Sequence, residues 1–303
     1  MKLTVERAAL LKALGHVQSV VERRNTIPIL SNVLIAAGAG QLSLSATDLD
    51  MEITDASPAD VEATGQITAP AHTLYEIVRK LPEGADVALS YTGEDPRLQV
   101  RAGRSRFNLP ELPAGDFPMM SSEGLSDPIA IDTGELVRLI DKTRFAISTE
   151  ETRYYLNGLY LHLAVEDGSP RLRAVATDGR RLALAEMPAP EGYAAPNITI
   201  PRKTVGEVRR LLDDAGETMN LSVSAQKVRF DFGRATMTSK VIDGSFPAYE
   251  SVIPRQNRRV MMLDNALFAA AVDRVATIST DQSRAVRLMI ETGRLTLTVR
   301  NMD

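Results

Sequence analysis

Leu42-Ser43-Leu44-Ser45-Ala46-Thr47-Asp48 and Leu172-Arg173-Ala174-Val175-Ala176-Thr177-Asp178 are two versions of one segment. Both close on Ala-Thr-Asp, and their aspartates lie 130 positions apart. The offset recurs on either side. Ile67-Thr68-Ala69-Pro70 matches Ile198-Thr199-Ile200-Pro201, with the prolines 131 apart. Ala114-Gly115-Asp116-Phe117-Pro118 matches Asp243-Gly244-Ser245-Phe246-Pro247, with the phenylalanines 129 apart. Three anchors in one order at nearly one offset mark a tandem duplication.

A third copy begins near Val260. Leu263-Asp264-Asn265-Ala266-Leu267 resembles Ile131-Asp132-Thr133-Gly134-Glu135-Leu136 with a slip of one residue. Leu295-Thr296-Leu297-Thr298-Val299-Arg300-Asn301 takes the place of the strand ending in Asp48. A complete third copy needs roughly 70 more residues than the sequence carries, so the expectation is a chain lacking its C-terminal end. The boundaries expected from the repeat are 1–120, 129–254 and 258–303, the last being half a domain. The segments 119–128 and 248–259 read as linkers.

Each long repeat divides again into two units of strand, helix and further strands. In the first unit Leu3-Thr4-Val5 is a strand, and Leu10, Leu14, Val17 and Val21 recur at helical spacing. Strands follow at 33–35, 42–45 and 51–53, with Gly38 and Gly40 as turn signals. The second unit opens with Gly65-Gln66-Ile67-Thr68. Its helix carries Leu74, Ile77, Val78 and Leu81, and Leu81-Pro82-Glu83-Gly84 stops it. Leu136, Leu139 and Ile140 mark the third helix, and Val205, Val208 and Leu212 the fourth. The alternation of apolar and polar residues in the strands predicts antiparallel sheets with one face buried and one helix on each. The fold class is α+β.

Composition narrows the function. A hydrophobic content of 44% supplies a sizeable core, and no apolar run reaches the length of a membrane span. The first residues, Met1-Lys2-Leu3-Thr4-Val5-Glu6-Arg7, hold charges where a signal peptide needs an apolar stretch, so a cytoplasmic location is expected. Absence of cysteine excludes disulfides and thiolate metal sites. The net charge of -4 disfavours indiscriminate nucleic-acid binding and leaves room for a local basic patch.

Asp48, Asp50 and Glu52 alternate at spacing two, which on a strand gives three carboxylates on one face. Such a face can hold a divalent metal, so the alternative reading is a metal-dependent nuclease using Asp48 and Asp50. The repeat argues against it, because Gly179-Arg180-Arg181 follows the matching Asp178. His16, His72 and His162 lie in different units and share no motif. No phosphate loop or nucleophile elbow is present. The reading is a non-catalytic protein with no cofactor and no metal.

The helices carry the stronger signal. Arg7 and Lys12 lie on or beside the first, Arg79 and Lys80 on the second, Arg138 and Lys142 on the third, and Arg202, Lys203, Arg209 and Arg210 on the fourth. At spacing seven, Arg202 shares a stripe with Arg209, and Lys203 with Arg210. One such helix is an ordinary solvated surface; four in repeated units point to a duplex phosphate backbone. With no tryptophan and 5% aromatics, a stacking platform for single strands is disfavoured.

Several motifs together resemble the bacterial DNA polymerase III beta subunit family, the sliding clamps. They are Arg153-Tyr154-Tyr155-Leu156-Asn157-Gly158, Ala176-Thr177-Asp178-Gly179-Arg180-Arg181-Leu182, Pro201-Arg202-Lys203, and Thr238-Ser239-Lys240 through Asp243-Gly244-Ser245-Phe246-Pro247. Leu81-Pro82-Glu83-Gly84 and Gly103-Arg104-Ser105-Arg106-Phe107 belong to the same resemblance, which covers the whole sequence. It implies a DNA clamp fold of three domains, each of two like units. It also implies a head-to-tail homodimeric ring with helices lining the hole, and impaired closure if nothing follows Asp303. The implied role is to tether the replicative polymerase to duplex DNA. Carried over residue by residue, the DNA-facing set is Arg24, Arg79, Lys80, Tyr155, Arg202 and Lys203. Glu150 stands where the family often has a neutral residue. Short peptides from polymerases, the clamp loader and repair proteins would use Leu156, Thr177, Gly179, Arg180, Arg181, Leu182, Pro247 and Val252. There an apolar anchor meets a polar rim, and Ser251 replaces an arginine typical of some members.

Overall fold

The computed structural model describes residues 1–93, 97–278 and 285–299. The first repeat runs β1 (Lys2–Glu6), α1 (Arg7–Gln18), β2 (Asn32–Gly38), β3 (Gln41–Thr47), β4 (Met51–Pro58), β5 (Asp60–Ala63), β6 (Gly65–Pro70), α2 (Ala71–Lys80), β7 (Asp86–Ser90), β8 (Arg97–Ala102) and β9 (Ser105–Pro110). The second runs β10 (Ile129–Asp132), α3 (Thr133–Thr143), β11 (Gly158–Glu166), β12 (Ser169–Thr177), β13 (Leu182–Pro188), β14 (Ile198–Pro201), α4 (Arg202–Leu212), β15 (Thr218–Val223), β16 (Lys227–Asp231) and β17 (Ala235–Lys240). Among the described strands and α-helices of these two repeats, only β5 lacks a counterpart. Helix α1 stops earlier than the apolar spacing implies. Val20 and Val21 are still buried, but in two tighter i→i+3 turns on the carbonyls of Val17 and Gln18.

The repeat anchors fall on equivalent places. Asp48 and Asp178 both open the turn after the third strand, and each Oδ1 accepts two backbone N–H groups: Asp50 and Met51 in one case, Arg180 and Arg181 in the other. Thr47 and Thr177 each donate from Oγ1 across the same turn, to the carbonyls of Met51 and Arg181. Phe117 packs with Leu34 of β2, and Phe246 stacks 4.7 Å from Tyr160 of β11. Leu34 pairs with Thr68 and Tyr160 with Thr199, so the two phenylalanines reach the same position of the same strand.

The units do not each keep their own sheet, as the sequence reading had it. Strand β1 opens the first unit but lies in the sheet β5-β1-β7-β8-β9, built mainly by the second. Strand β6 opens the second unit but pairs with β2 of the first. The second repeat does the same: β10 joins β15, and β14 joins β11. Each unit thereby places its first strand in its neighbour's sheet, and neither half can bury its apolar face alone.

The repeats are joined by backbone. Strand β17 pairs antiparallel with β4, Ala235 opposite Asp55 through Ser239 opposite Met51, making one eight-stranded sheet β10-β15-β16-β17-β4-β3-β2-β6. Residues 1–246 accordingly form one compact unit. On the helix side a charged network closes the seam. His16 of α1 is 6% exposed and places Nδ1 2.5 Å from Asp55 and Nε2 2.9 Å from Asp214, just past α4. Fully buried Asp55 also accepts from Arg234 at 2.9 Å, and Asp214 pairs with Lys12 at 2.6 Å. Arg210 of α4 donates to the His16 carbonyl and to Ser19.

Residues 247–303 form a second compact unit. It holds a short turn at Tyr249–Val252, helix α5 (Asn265–Ala276), and a hairpin of β18 (Arg287–Glu291) and β19 (Arg294–Thr298). Asp264 caps α5 by accepting from the Leu267 N–H, as Asp132 caps α3 by accepting from Glu135. Both bonds span three residues, so the third copy aligns at the cap, and the one-residue slip falls after it, Leu267 standing three positions past Asp264 and Leu136 four past Asp132. Arg300 and Asn301 lie outside the described residues.

Candidate nucleic-acid interface

Helix α4 begins at Arg202 because Pro201 ends β14 and fixes the entry angle. Its first N–H bonds to the Asn157 carbonyl at 2.9 Å. That bond sets the exposed Arg202 beside the turn carrying half-buried Tyr155, which packs edge-on against Tyr154 at 5.9 Å. Buried Val205, Val208, Leu211 and Leu212 seat the helix on its sheet. Lys203, one position on, reaches into the first repeat. Its ammonium lies 2.6 Å from Asp48 Oδ2 and 3.1 Å from Glu22 Oε1. Partial burial lowers the Lys203 pKa, and hydrogen bonds and Coulomb attraction from Asp48 and Glu22 outweigh that, so the net direction is upward. Glu22 sits two residues before the exposed Arg24. Bonds thus tie Arg202 to the segment carrying Tyr155, and Lys203 across the repeats to the segment that leads to Arg24.

Arg79 and Lys80 are exposed at the C-terminus of α2, away from His72 at its start, which bonds to Gln18 and the Val21 carbonyl. Arg79 pairs with Glu76 at 2.7 Å. Among the described residues Arg24, Lys80 and Arg202 make no ion pair.

The basic stripe expected on the helices is largely spent internally. Arg209 pairs with Asp141 and Asp213, Arg210 with Glu207, Arg138 with Glu135 and Lys12 with Asp214. Arg7 donates to the carbonyls of Val78 and Arg79. The physical reason is composition. Acidic residues outnumber basic ones, 39 to 35, and several stand three or four positions from a helix cation. The three alternating carboxylates diverge as well. Asp48 and Asp50 lie in the turn before β4, not on it. Asp48 takes Lys203, Asp50 takes Lys240, and buried Glu52 accepts from the Met120 N–H. Burial raises the Glu52 pKa, against the opposing Met120 bond and Arg229 charge. The nuclease alternative loses its shared face.

Six residues of the expected peptide pocket lie in 1–246. Leu156 is buried at the end of the short Glu151–Leu156 helix. Thr177, Gly179, Arg180, Arg181 and half-buried Leu182 form the β12–β13 turn and the start of β13. Arg153, three residues before Leu156, lies against Gly179: a Cβ there would fall 2.7 Å from its guanidinium. Arg181 pairs with Asp178 and sits over the Phe145 ring, 5.5 Å from its centre. Phe145 escaped the sequence analysis and Arg153 entered it only within a motif, because the fold alone sets them on this turn. Pro247 and Val252 belong to 247–303, where both are exposed.

Comparison with known proteins agrees with this construction at every repeat. Models of the DNA polymerase III beta subunit match in series: its N-terminal domain over residues 1–121, its central domain over 130–248 and its C-terminal domain over 250–303. The chain belongs to the DNA polymerase III beta subunit family. The beta sliding clamp of Caulobacter vibrioides is 71% identical over all of this chain and 82% of its own length. That of Escherichia coli K12 is 37% identical over all of this chain and 81% of its own length. A crystal structure of the Caulobacter crescentus beta sliding clamp with bound polyethylene glycol superposes with a TM-score of 0.98, covering 100% of this chain and 81% of that one. A sliding clamp from Bartonella birtlesii bound to griselimycin is 47% identical, with a TM-score of 0.94 over 99% of this chain and 81% of that one. As a beta subunit the chain is a DNA sliding clamp, a processivity factor without catalysis of its own. No helix among the described residues is long and apolar enough to cross a membrane.

Proposed function

We propose that the chain threads duplex DNA past Arg24, Arg79, Lys80, Tyr155, Arg202 and Lys203 while it forms a head-to-tail homodimeric ring in the cytoplasm. The observation that carries this reading is the β17–β4 junction. It joins one repeat to the next by sheet continuation, which is how a ring is built from tandem copies. Helices of both repeats meet on one side, where Arg210 and Lys203 of α4 reach the first repeat. Contacts of this kind, exposed cations on a partly self-neutralised surface, hold phosphate weakly and without reading bases. That suits a ring that slides. The domain divisions that fit are 1–120, 129–254 and 258–303.

Partner proteins, among them the polymerase catalytic subunit, the clamp loader and repair proteins, would dock through short linear peptides. The docking set within residues 1–246 is Leu156, Thr177, Gly179, Arg180, Arg181 and Leu182, to which the family resemblance adds Pro247 and Val252. Support comes from half-buried Leu182 at the end of a turn whose Gly179, at φ 85°, carries no side chain and packs against Arg153. A peptide carrying a glutamine and a leucine-phenylalanine pair should bind wild type and lose at least about tenfold against Leu182→Asp, since an apolar anchor is removed and a charge added. Equal affinities would remove this pocket from consideration.

The ring is tested by topology. Protein loaded on nicked circular DNA should stay bound, and should leave rapidly once a restriction enzyme linearises the circle. Equal release from both forms would show binding by surface contact alone.

A further inference from the structure

The Lys203 ammonium has two anionic partners within the protein, and both come from the other repeat. Asp48 is held for this. Its Oδ1 is committed to the N–H groups of Asp50 and Met51, at 3.0 and 2.8 Å, which leaves Oδ2 aimed at Lys203. The carboxylate is only 12% exposed, so little water screens it. The second repeat provides an internal control. Asp178 makes the same two backbone bonds through Oδ1, yet its Oδ2 takes Arg181 of its own turn at 2.9 Å. The turn therefore closes without any lysine from a following helix. The Asp48–Lys203 contact is an addition to the turn and not a requirement of it. Glu22 adds a second negative charge in the segment that leads to Arg24. One cation, next in sequence to exposed Arg202 and bonded two residues short of exposed Arg24, thus stands with two anions.

We propose that Asp48 and Glu22 limit the grip of this surface on DNA by keeping the Lys203 ammonium paired inside the protein. The proposal rests on the reading that Arg24 and Arg202 face DNA. A phosphate that recruits Lys203 must first displace two carboxylates, and those carboxylates then repel it. The pairing sets a ceiling on affinity while leaving a positive approach. A ring that gains processivity from topology needs such a ceiling, because each firm phosphate contact would slow sliding.

The test measures binding of a labelled primed duplex by fluorescence anisotropy between about 50 and 200 mM salt, using the full chain. Asp48→Asn retains the Oδ1 acceptor of the turn, and Glu22→Gln lies in an exposed loop. The double variant Asp48→Asn/Glu22→Gln should bind more tightly. Its salt dependence should steepen by about one phosphate contact, an extra loss of about threefold across that range. Adding Lys203→Gln to the double variant should abolish its gain in affinity and in slope. If the turn is disturbed, seen as a lowered thermal midpoint, Glu22→Gln alone should still give part of the gain. A wild-type slope in the double variant, or a gain that survives Lys203→Gln, overturns the proposal; the second would be a bulk charge effect. Arg24→Ala and Arg202→Ala separate the two readings. If they weaken binding and the carboxylate variants do nothing, only the restraint fails. If they bind as wild type does, the DNA-facing assignment fails first.

Discussion

Leu49 adopts φ 76°, a left-handed backbone that costs a side chain about 1 kcal/mol. Its counterpart in the second repeat is Gly179, at φ 85°, which adopts this conformation freely. The strain persists at Leu49 because Asp48 and Thr47 bond the turn on both sides. Leu49→Gly should therefore raise stability by up to about 1 kcal/mol in denaturant unfolding, less the entropy of a freer unfolded chain. A loss of stability would mean that the leucine side chain, 40% exposed, contributes more packing than its exposure implies. Glu52 offers a test by pH. Its folded pKa is raised, chiefly by burial, so its contribution to stability is fully present below its ordinary value and is lost as pH rises through the folded one. Glu52→Gln keeps an acceptor for the Met120 N–H and removes the buried charge. It should melt higher than wild type at pH 7.5, with the gap closing as pH falls towards 4.5; a gap that widens in acid would reverse the assignment. At this scale the sequence matched Asp48 to Asp178, which open equivalent turns, but its spacing put Asp48 on a strand face with Asp50 and Glu52. It was read poorly where the partner is remote: nothing in the spacing of Lys203 and Asp48, 155 positions apart, announces their bond.

Strand β4 is fixed twice, by β3 within its repeat and by β17 from the next. Its Asp55 stands at the seam, fully buried, held by His16 from α1 and by Arg234 from the turn before β17. Removing one partner of such a buried group strands the others without compensation, at about 3 kcal/mol or more. Asp55→Ala should lose that much stability and expose the amides of β17 and β4 to hydrogen exchange ahead of those in β11 and β12. Uniform exchange across both repeats would mean that the seam has no separate stability. The strands themselves were legible, because the half-buried ones alternate and Gly38, Gly40 and Pro70 mark turns and ends. The exchange of β1 and β6 between units was not. Alternation tells which face of a strand is buried and carries no information about which neighbour it pairs with. The same limit explains the helix faces. Arg209 and Arg210 fit a basic stripe by spacing, but Asp141 reaches Arg209 from α3 and the carbonyls of Gly15 and His16 reach Arg210 from α1.

The assembly of the whole molecule follows from asking which strand edges are used. In the second repeat the order β10-β15-β16-β17 ends on β17, and the outer edge of β17 pairs with β4. In the first repeat the matching order β1-β7-β8-β9 ends on β9, whose outer edge has no partner among the described residues. An unpaired row of backbone N–H and C=O groups is a template for another chain. The side chains agree: Ser105, Arg106, Phe107 and Asn108 are all exposed, and Phe107 is a large apolar group at 36%. By the rule of the internal junction, β9 must meet a strand of the β4 kind, so the contact joins two different surfaces. Two such contacts related by a two-fold close a head-to-tail ring. Phe107→Asp puts a charge where an aromatic anchor would be buried, which costs about 2 kcal/mol or more and weakens association by about thirtyfold. In sedimentation equilibrium the association constant of the variant should fall about thirtyfold below that of wild type. Its thermal midpoint should be nearly unchanged, because the side chain is already exposed in the monomer. A variant that dimerises like wild type would place the contact away from β9. A dimer lost together with the thermal midpoint would show that Phe107 supports its own sheet.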